Sequence, residues 1–341
     1  MKIEIREAES KKDWDAFVTS HEEANFLQSW DFYEFQKARN NEIVRRIAEV
    51  DGKIVGAYAG EVEHAKRGRH LAVAGGPILD WKDKKLVKAI FDDMKQEGKR
   101  LKCEFVRVRP QLELSDKSKA IFKDYGFKKA PMYLSVEYAG VLDLTKSEEE
   151  IMAGMRQRLR RALRKAKKNN IEVVRSTDPK DMKTFCDIQR ETAKRHNFYA
   201  FSDDFLTKQF TAFATNDEAV LYIAKYEGEI LAENMMIFYG NEVSYHYGVS
   251  SELGTKLSGA PLLHVTCMED ARKRGIKRYN LWGIVGENET KHRFYGVSEF
   301  KRGFGPQELK YLPAQDLILN KFQYYLKTWP IETIRRKVRH V

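Results

Sequence analysis

The strongest constraint on the fold of this chain is an internal repeat. Residues 46–57 and 222–233 each read as an alternating strand, a two-residue turn and a second strand, and each turn holds an acidic residue followed by glycine. Such turns between alternating apolar and polar segments are typical of tight β-hairpins. The chain therefore predicts the same hairpin at two distant positions.

The similarity continues after each hairpin. Residues 86–108 and 262–284 each predict an apolar-periodic helix, a glycine stop (Gly98 or Gly275) and a strand. Known solenoid repeats run to roughly 20 to 50 residues, and this repeat is much longer. The pattern indicates two globular domains of related fold.

Composition agrees with two domains. A length of 341 residues with 42% hydrophobic residues supports about two cores. The sequence has no run of 18 apolar residues, so it predicts no membrane-spanning helix. We expect a first domain at 1–142, a second at 143–313, and a helical tail at 314–341 that packs on the first. The three scattered cysteines favour buried thiols in a reducing cytoplasm.

The predicted element order identifies the fold class. In each half an antiparallel meander precedes a βαβ unit, which matches tandem acyltransferase domains of the GNAT type, an α/β (α+β) fold with mixed sheets flanked by helices. In the second half we expect a basic helix over 147–169, a helix capped by Ser258, and a helix near 287–295. The tail from Leu317 reads as a helix interrupted at Pro330.

The glycine loop that binds coenzyme A in GNAT enzymes is missing. That loop offers free helix amides to a pyrophosphate, and the equivalent segments here, 73–77 and 254–260, lack its spacing. No metal-ligand spacing occurs among the eight histidines, and His246 and His264 read as core or surface residues. We expect neither cofactor nor metal.

Several short motifs, in a fixed order, resemble the FemABX peptidyltransferases over residues 24–313. They are Leu27-Gln28-Ser29-Trp30, Phe35-Gln36-Lys37, Gly75-Gly76-Pro77, Arg156-x-x-x-Arg160-Arg161-Ala162-x-x-Lys165-Ala166, Thr192-Ala193-Lys194-Arg195, Tyr245-x-Tyr247, Trp282-Gly283 and Phe300-Lys301-x-Gly303-Phe304-Gly305. The resemblance implies transfer of an amino acid from aminoacyl-tRNA, as co-substrate, to an amine of a peptidoglycan stem peptide. The acceptor is a UDP-linked or a lipid-linked muropeptide.

The resemblance also implies residue roles. Lys37 and Arg195 are expected to hold the acceptor pyrophosphate, and a planar guanidinium suits bidentate phosphate binding. Each has a simpler interpretation, as an exposed helix residue for Lys37 and as a helix C-terminal cation for Arg195. Phe300 and Lys301 are expected beside the reacting carbonyl, where Lys301 would stabilise an oxyanion, unless it is a surface lysine on a strand.

Three tyrosines are candidate substrate contacts. Tyr199 follows Arg195 in an aromatic loop, whereas Tyr245 and Tyr247 are two residues apart on a predicted strand and should share one face. A tyrosine offers a flat surface and one hydrogen bond to a sugar, a base or a peptide. A stripe at the edge of the core is the alternative.

The chain departs from the family pattern in two places. Relatives often carry an aspartate before a proline at the end of a first-domain strand, but Arg109 precedes Pro110 here and can add a phosphate contact instead. The general base is therefore not identified. No sustained heptads occur, so the coiled-coil arm found in relatives is absent.

A basic helix is the candidate tRNA surface. Its apolar stripe is Leu159, Ala162, Leu163 and Ala166, and its cations include Arg156, Arg160, Arg161, Arg164, Lys165 and Lys168. Phosphate neutralisation by such a ridge would be salt-dependent, and a solvated helix face is the alternative. The net charge of +11 likewise favours nucleic acid, a phosphorylated ligand or anionic lipid.

Three hypotheses result. The first is an aminoacyl-tRNA-dependent enzyme of cell-wall assembly, cytoplasmic and monomeric. The second is a Fem-like N-acyltransferase acting on another amine, and the third is a non-catalytic binder of tRNA or anionic lipid.

The end of the chain combines a tryptophan with cations. Trp329 lies among Lys327, Arg335, Arg336, Lys337 and Arg339 and resembles an interfacial anchor. We expect either peripheral contact with the inner membrane face or a basic helix end packed on the first domain.

Overall fold

The computed structural model describes residues 2–65, 68–196 and 199–339, without the side chains at 195, 196 and 337–339. The strands are β1 (Glu4–Glu7), β2 (Ile43–Val50), β3 (Lys53–Ala65), β4 (Gly68–Ala74), β5 (Ile78–Leu79), β6 (Phe105–Arg109), β7 (Lys128–Lys129), β8 (Tyr138–Asp143), β9 (Glu172–Ser176), β10 (Ala219–Tyr226), β11 (Glu229–Tyr239), β12 (Glu242–Ser250), β13 (Arg278–Gly283), β14 (Gln307–Lys310) and β15 (Gln315–Ile318). The α-helices are α1 (Lys11–Thr19), α2 (Trp30–Ala38), α3 (Lys84–Arg100), α4 (Asp116–Asp124), α5 (Glu148–Gly154), α6 (Gln157–Lys168), α7 (Met182–His196), α8 (Asp203–Ala214), α9 (Glu252–Leu257), α10 (Gly259–Lys273), α11 (Tyr295–Arg302), α12 (Lys321–Gln323) and α13 (Trp329–Arg339).

These elements form two compact units. The first comprises residues 1–138, 291–293 and 309–341, and the second comprises residues 139–290 and 294–308. The first sheet has the order β1-β2-β3-β4-β6-β15-β7, with β5 beside β3. The second, read in the matching direction, is β9-β10-β11-β12-β13-β8-β14. The fold class predicted from the repeat, a mixed sheet flanked by helices in each of two domains, is confirmed.

The repeated hairpins have the turn that their sequences demand. Asp51 and Gly52 have φ of 50° and 74°, and Glu227 and Gly228 have φ of 49° and 83°. A two-residue turn with positive φ at both positions matches the right-handed twist of its strands. The two hairpins are β2–β3 and β10–β11.

Each sheet carries a helix that buries an apolar stripe. In the first unit Leu86, Ile90 and Met94 of α3 pack into the core. In the second, α6 buries Leu159, Leu163 and Ala166, as its helical spacing predicts, and Ala162 is partly buried.

Several local predictions were wrong. The basic segment 147–169 is two helices, because the chain is extended at Met155 and the Arg156 amide donates to the carbonyl of Gly303. Ser258 adopts a left-handed conformation with φ 67° and makes no side-chain cap. The helix expected near 287–295 lies at α11 instead.

Gly98 does not end its helix. It lies inside α3, which continues to Arg100. A Cβ at this position would lie 2.7 Å from Leu319 and 2.8 Å from Val106. Gly98 is therefore explained by close packing, whereas Gly275 follows α10 with φ 75°, as a helix stop requires.

The tail begins as a strand. Residues 315–318 form β15, which pairs with β6 and β7 of the first sheet. A π-helix over Tyr324–Thr328 leads into α13. The tail is not broken at Pro330. Trp329 has helical backbone angles and its amide donates to the carbonyl of Tyr324, so the helix continues from residues 324–328 into α13. The change from π-helix to α-helix lies directly before Pro330, a residue that has no amide donor of its own. No helix among the described residues has the length and hydropathy needed to cross a bilayer.

Candidate active site

The second sheet opens between its two parallel strands. β12 and β13 are paired only from Glu242↔Arg278 to Ser244↔Asn280. The equivalent strands of the first sheet, β4 and β6, remain paired over their whole common length, to Ala74↔Arg109. The space between residues 245–248 of β12 and 281–283 of β13 is called the wedge below.

Local hydrogen bonds explain where the wedge begins. The Asn280 side chain donates to Glu242 Oε1 at 3.0 Å and accepts from the Trp282 amide at 2.8 Å. Trp282 is left-handed, with φ 65°, and the register with β8 shifts before Gly283. These features turn β13 out of its parallel pairing immediately after Asn280.

Lys301 of α11 lies at the wedge. Its side chain is buried, and its Nζ donates to the carbonyl oxygen of Gly283 at 2.7 Å. The same nitrogen is 5.5 Å from the ring centroid of Tyr245. A lysine ammonium has three N–H donors, so the Gly283 carbonyl uses only one of them.

Burial determines the charge state of this cluster. It lowers the pKa of Lys301 to about 7 and raises the pKa of Tyr245 to about 12. Burial, and then the charge of Lys301, lower the pKa of His264 to about 3. At neutral pH His264 and Tyr245 are uncharged, and Lys301 is the group that titrates.

Phe300 and Phe304 form an aromatic cluster with His264. The Phe300 ring is 5.6 Å from the ring of His264 and 5.4 Å from that of Phe304. Phe304 is fully buried, whereas Phe300 is only partly buried. The structure therefore brings together Phe300, Lys301 and Tyr245, three residues singled out from the sequence.

His264, which the sequence assigned to the core or the surface, belongs to this cluster. Its Nδ1 is 2.7 Å from the hydroxyl of Tyr279, and its ring is 4.5 Å from that of Tyr245. Its Nε2 has no hydrogen-bond partner among the described residues. One sequence feature could have identified His264 as a site residue: it is the only polar residue within the apolar run Leu262-Leu263-His264-Val265.

Asn234 of β11 was also missed. It pairs with Gly248 of β12, is 1% exposed, and has no hydrogen-bond partner for either amide atom among the described residues. A Cβ at Gly248 would collide with the Tyr245 hydroxyl, which therefore lies over that glycine. No sequence pattern marks Asn234, because only the pairing of β11 with β12 brings it here.

Tyr245 and Tyr247 do not share a face, contrary to the prediction. Tyr247 is opposite Met235 and Tyr245 is opposite Met236, so His246 is an extra residue that forms a β-bulge. Adjacent methionines point to opposite faces of β11, and their partners do the same. Tyr247 accordingly contacts Phe201, with ring centroids 5.2 Å apart, on the other face from Lys301.

His246 is held within the bulge. Its ring is 4.0 Å from that of Tyr247 and 5.8 Å from that of Trp282. Burial lowers its pKa to about 3, so it is neutral at physiological pH. This histidine links the two strands that border the wedge.

Two further predicted contacts lie near α7. Tyr199 is fully exposed. Arg195 is near the end of α7, but its side chain lies outside the described residues. Both remain predictions as acceptor contacts.

Lys37 and Arg109 belong to the first unit. Lys37 is half exposed and forms an ion pair with Glu34 at 3.0 Å. Arg109 is 1% exposed and donates to Ser135 and to Gln111 Oε1. Protein partners thus occupy the Arg109 guanidinium where a phosphate contact was expected.

Two of the family-like motifs meet in the first unit. Gln28 is fully buried, and its amide nitrogen donates to the carbonyls of Ala59 and Ala74, at 3.1 and 2.8 Å. Its Oε1 accepts from the Ala59 amide at 2.9 Å. A Cβ at Gly76 would lie 2.6 Å from the Gln28 side chain. Gln28 and Gly76 therefore have structural roles within this sheet.

The basic helix α6 begins beside α11. Arg156 donates to Glu299 at 2.8 Å, one residue from Phe300. Lys165 donates to the carbonyl of Lys256 at 3.3 Å. The exposed cations on this helix are Arg158, Arg161, Arg164, Lys165, Lys167 and Lys168, with Arg160 partly buried.

The glycines in segment 254–260, where GNAT enzymes carry the coenzyme A loop, serve packing. A Cβ at Gly254 would collide with the carbonyl of Leu231, and one at Gly259 would lie 2.9 Å from the Leu231 side chain. They let α9 and α10 approach β11. Among residues 2–65, 68–196 and 199–339, no group of three His, Cys, Asp or Glu side chains is arranged to hold a metal.

Comparison with known proteins shows the family to which this chain belongs. The model of the FemAB family matches residues 10–229 and 222–329. A curated relative, the Lipid II:glycine glycyltransferase of Staphylococcus aureus, is 21% identical over 93% of both chains. The crystal structure of FemX superposes with a TM-score of 0.87 at 20% identity, covering 96% of this chain and 99% of that one.

A solved tandem GNAT protein from the clavulanic acid biosynthesis pathway has a TM-score of 0.58 at 9% identity, covering 93% of this chain and 98% of that one. This likeness concerns the fold alone. The family match spans both halves of the chain, in agreement with the ordered motifs, and the protein belongs to the FemAB family.

Proposed function

We propose that this protein transfers an amino acid from aminoacyl-tRNA to an amine of the stem peptide of a peptidoglycan precursor. The observation that carries the proposal is the buried Lys301 at the open parallel pair of a FemAB-family chain. Relatives that bear the name Lipid II:glycine glycyltransferase support an acceptor of this class.

The reaction is an aminolysis of an ester. The acceptor amine forms a bond to the aminoacyl carbonyl carbon, the bond from that carbon to the tRNA ribose oxygen breaks, and one proton passes from the amine to the leaving oxygen. The intermediate carries a negative oxygen. The Lys301 ammonium, which is buried beside the ring of Tyr245, would stabilise that oxygen more strongly than an exposed lysine.

The basic helix α6 is the proposed tRNA surface. Its exposed cations follow Arg156, which is tied to α11 through Glu299. A ridge of this kind binds a phosphate backbone without reading its sequence. The proposed donor can therefore be held next to the helix that carries Lys301.

The product should depend on charged tRNA. With purified protein and either UDP-linked or lipid-linked muropeptide, we expect a branched muropeptide, detected by its mass, only when aminoacyl-tRNA is added. The matched reactions contain uncharged tRNA or acetyl-CoA. Equal product with acetyl-CoA and no tRNA would contradict the proposal.

Arg195→Ala should weaken acceptor binding roughly tenfold to a hundredfold, because one charged hydrogen bond is worth about 1.5 to 3 kcal/mol. Titration calorimetry with the acceptor measures this change. Arg190→Ala, on the same helix and paired with Asp187 and Asp203, is the control. Equal affinity of the Arg195 variant and the wild type would assign Arg195 to the helix end alone.

A further inference from the structure

The C-terminal tail exposes a group of large apolar side chains. Six of the twelve large apolar side chains that are exposed in the described residues lie in this short segment. They are Phe322 (72%), Tyr325 (44%), Leu326 (60%), Trp329 (40%), Ile331 (37%) and Ile334 (61%). We call this set the tail face. Exposed apolar side chains that are grouped in one short segment mark an interaction site more often than single scattered ones do.

Buried ion pairs determine which side of the tail faces outwards. Glu332 is fully buried and accepts from both terminal nitrogens of Arg107, at 3.0 and 2.7 Å. Arg107 also pairs with Asp316 of β15 at 2.7 Å, and the Tyr324 hydroxyl donates to the same carboxylate at 2.6 Å. The tail cannot rotate its apolar side inwards without breaking these contacts, so the tail face stays exposed.

The exposed charged side chains of the tail itself are all cations. Lys321 and Lys327 are exposed, Arg335 and Arg336 are partly exposed, and Lys128 of β7 donates to the Tyr325 hydroxyl at 2.9 Å. Glu332 is the only acidic residue between 317 and 339, and it is buried. The exposed part of the tail thus combines large apolar side chains with cations and no carboxylate.

We infer that the tail face docks on the surface of an anionic phospholipid bilayer. Aromatic and aliphatic side chains bury their apolar area at the boundary between headgroups and acyl chains, while flanking cations bind lipid phosphates. A polyphosphate such as tRNA would use the cations but gains little from Leu326, Ile331 and Ile334. The observations therefore favour lipid over nucleic acid.

Vesicle flotation with the full-length protein tests this inference without any substrate, so its outcome does not depend on the proposed reaction. Wild type should bind vesicles of phosphatidylglycerol and phosphatidylcholine, bind pure phosphatidylcholine far less, and be released by added salt. The double variant Phe322→Ser/Leu326→Ser should lose binding at least about tenfold, because it removes two large exposed apolar side chains. Lys321→Glu/Lys327→Glu should also weaken binding.

Leu114→Ser is the matched control, since Leu114 is 41% exposed but lies outside the tail. It should bind vesicles as well as the wild type does. Each variant is shown to fold by a circular dichroism spectrum and an unfolding midpoint equal to those of the wild type. The inference fails if the wild type does not bind anionic vesicles, or if Phe322→Ser/Leu326→Ser binds them as well as Leu114→Ser does. It also fails if the tail variants weaken the binding of tRNA but not the binding of vesicles. It also fails if the double variant converts a dimer into a monomer, because the face is then a subunit contact.

Discussion

Lys301→Met should lower the turnover of aminoacyl transfer about a hundredfold or more, because the loss of one donor to a developing oxyanion has effects of this size. The methionine has a similar length and tolerates the aromatic surroundings of Phe300 and Tyr245. Single-turnover rates with saturating charged tRNA and acceptor measure the loss. Acceptor affinity, from calorimetry, should be almost unchanged.

Lys273→Met is the matched control, since Lys273 is an exposed lysine at the end of α10 in the same unit. Its turnover should equal that of the wild type. Wild-type turnover in Lys301→Met would remove Lys301 from the chemistry. An equal loss in both variants would point to a general effect of lysine substitution on the fold or on tRNA binding.

The same variant separates two roles for Lys301 by pH. At each pH, kcat/KM of the wild type is divided by kcat/KM of Lys301→Met. Ionisation of the donor and the acceptor affects both enzymes equally, so the ratio depends only on the ionisation of Lys301. Burial lowers its pKa to about 7, so the charged form dominates below that pH and is lost above it. If the ammonium acts, the ratio is flat below about pH 7 and falls about tenfold per pH unit above it. A ratio that rises towards pH 7 would instead make the neutral amine a general base.

Arg107→Met should lower the free energy of unfolding by about 3 to 5 kcal/mol, the usual consequence of removing one partner from a buried ion pair. Asp316 and Glu332 would be left as two buried carboxylates without their shared cation. Urea unfolding followed by circular dichroism measures the change. Since the tail is held through Glu332, its proteolysis should also become faster.

Arg100→Met is the control for the same substitution at an exposed pair. Arg100 binds Glu97 on the surface of α3, and such a pair is worth about 0 to 1 kcal/mol. Equal destabilisation by both variants would show that the buried network has no special role in stability.

Patterns that depend on local spacing were readable from the residues. The turns Asp51-Gly52 and Glu227-Gly228 specify tight hairpins because glycine accepts positive φ. Both hairpins occupy the same position in their sheets. The apolar stripe of α6 specifies its buried side through the helical period. The ordered motifs specified the family, since their spacing extends over both halves of the chain.

Features that depend on pairing between distant segments were decided only by the tertiary structure. A single extra residue, His246, moves Tyr245 and Tyr247 to opposite faces, because side chains alternate along a strand and one insertion reverses that alternation. The wedge exists because β13 leaves β12 after Asn280, and Lys301 of α11 and His264 of α10 both contact Tyr245 of β12 beside it. The sequence by itself determined the repeated fold and the presence of Lys301 in a family motif. The tertiary structure alone decided which side chains surround that lysine and how strongly they desolvate it, since burial is a property of packed neighbours and not of sequence spacing.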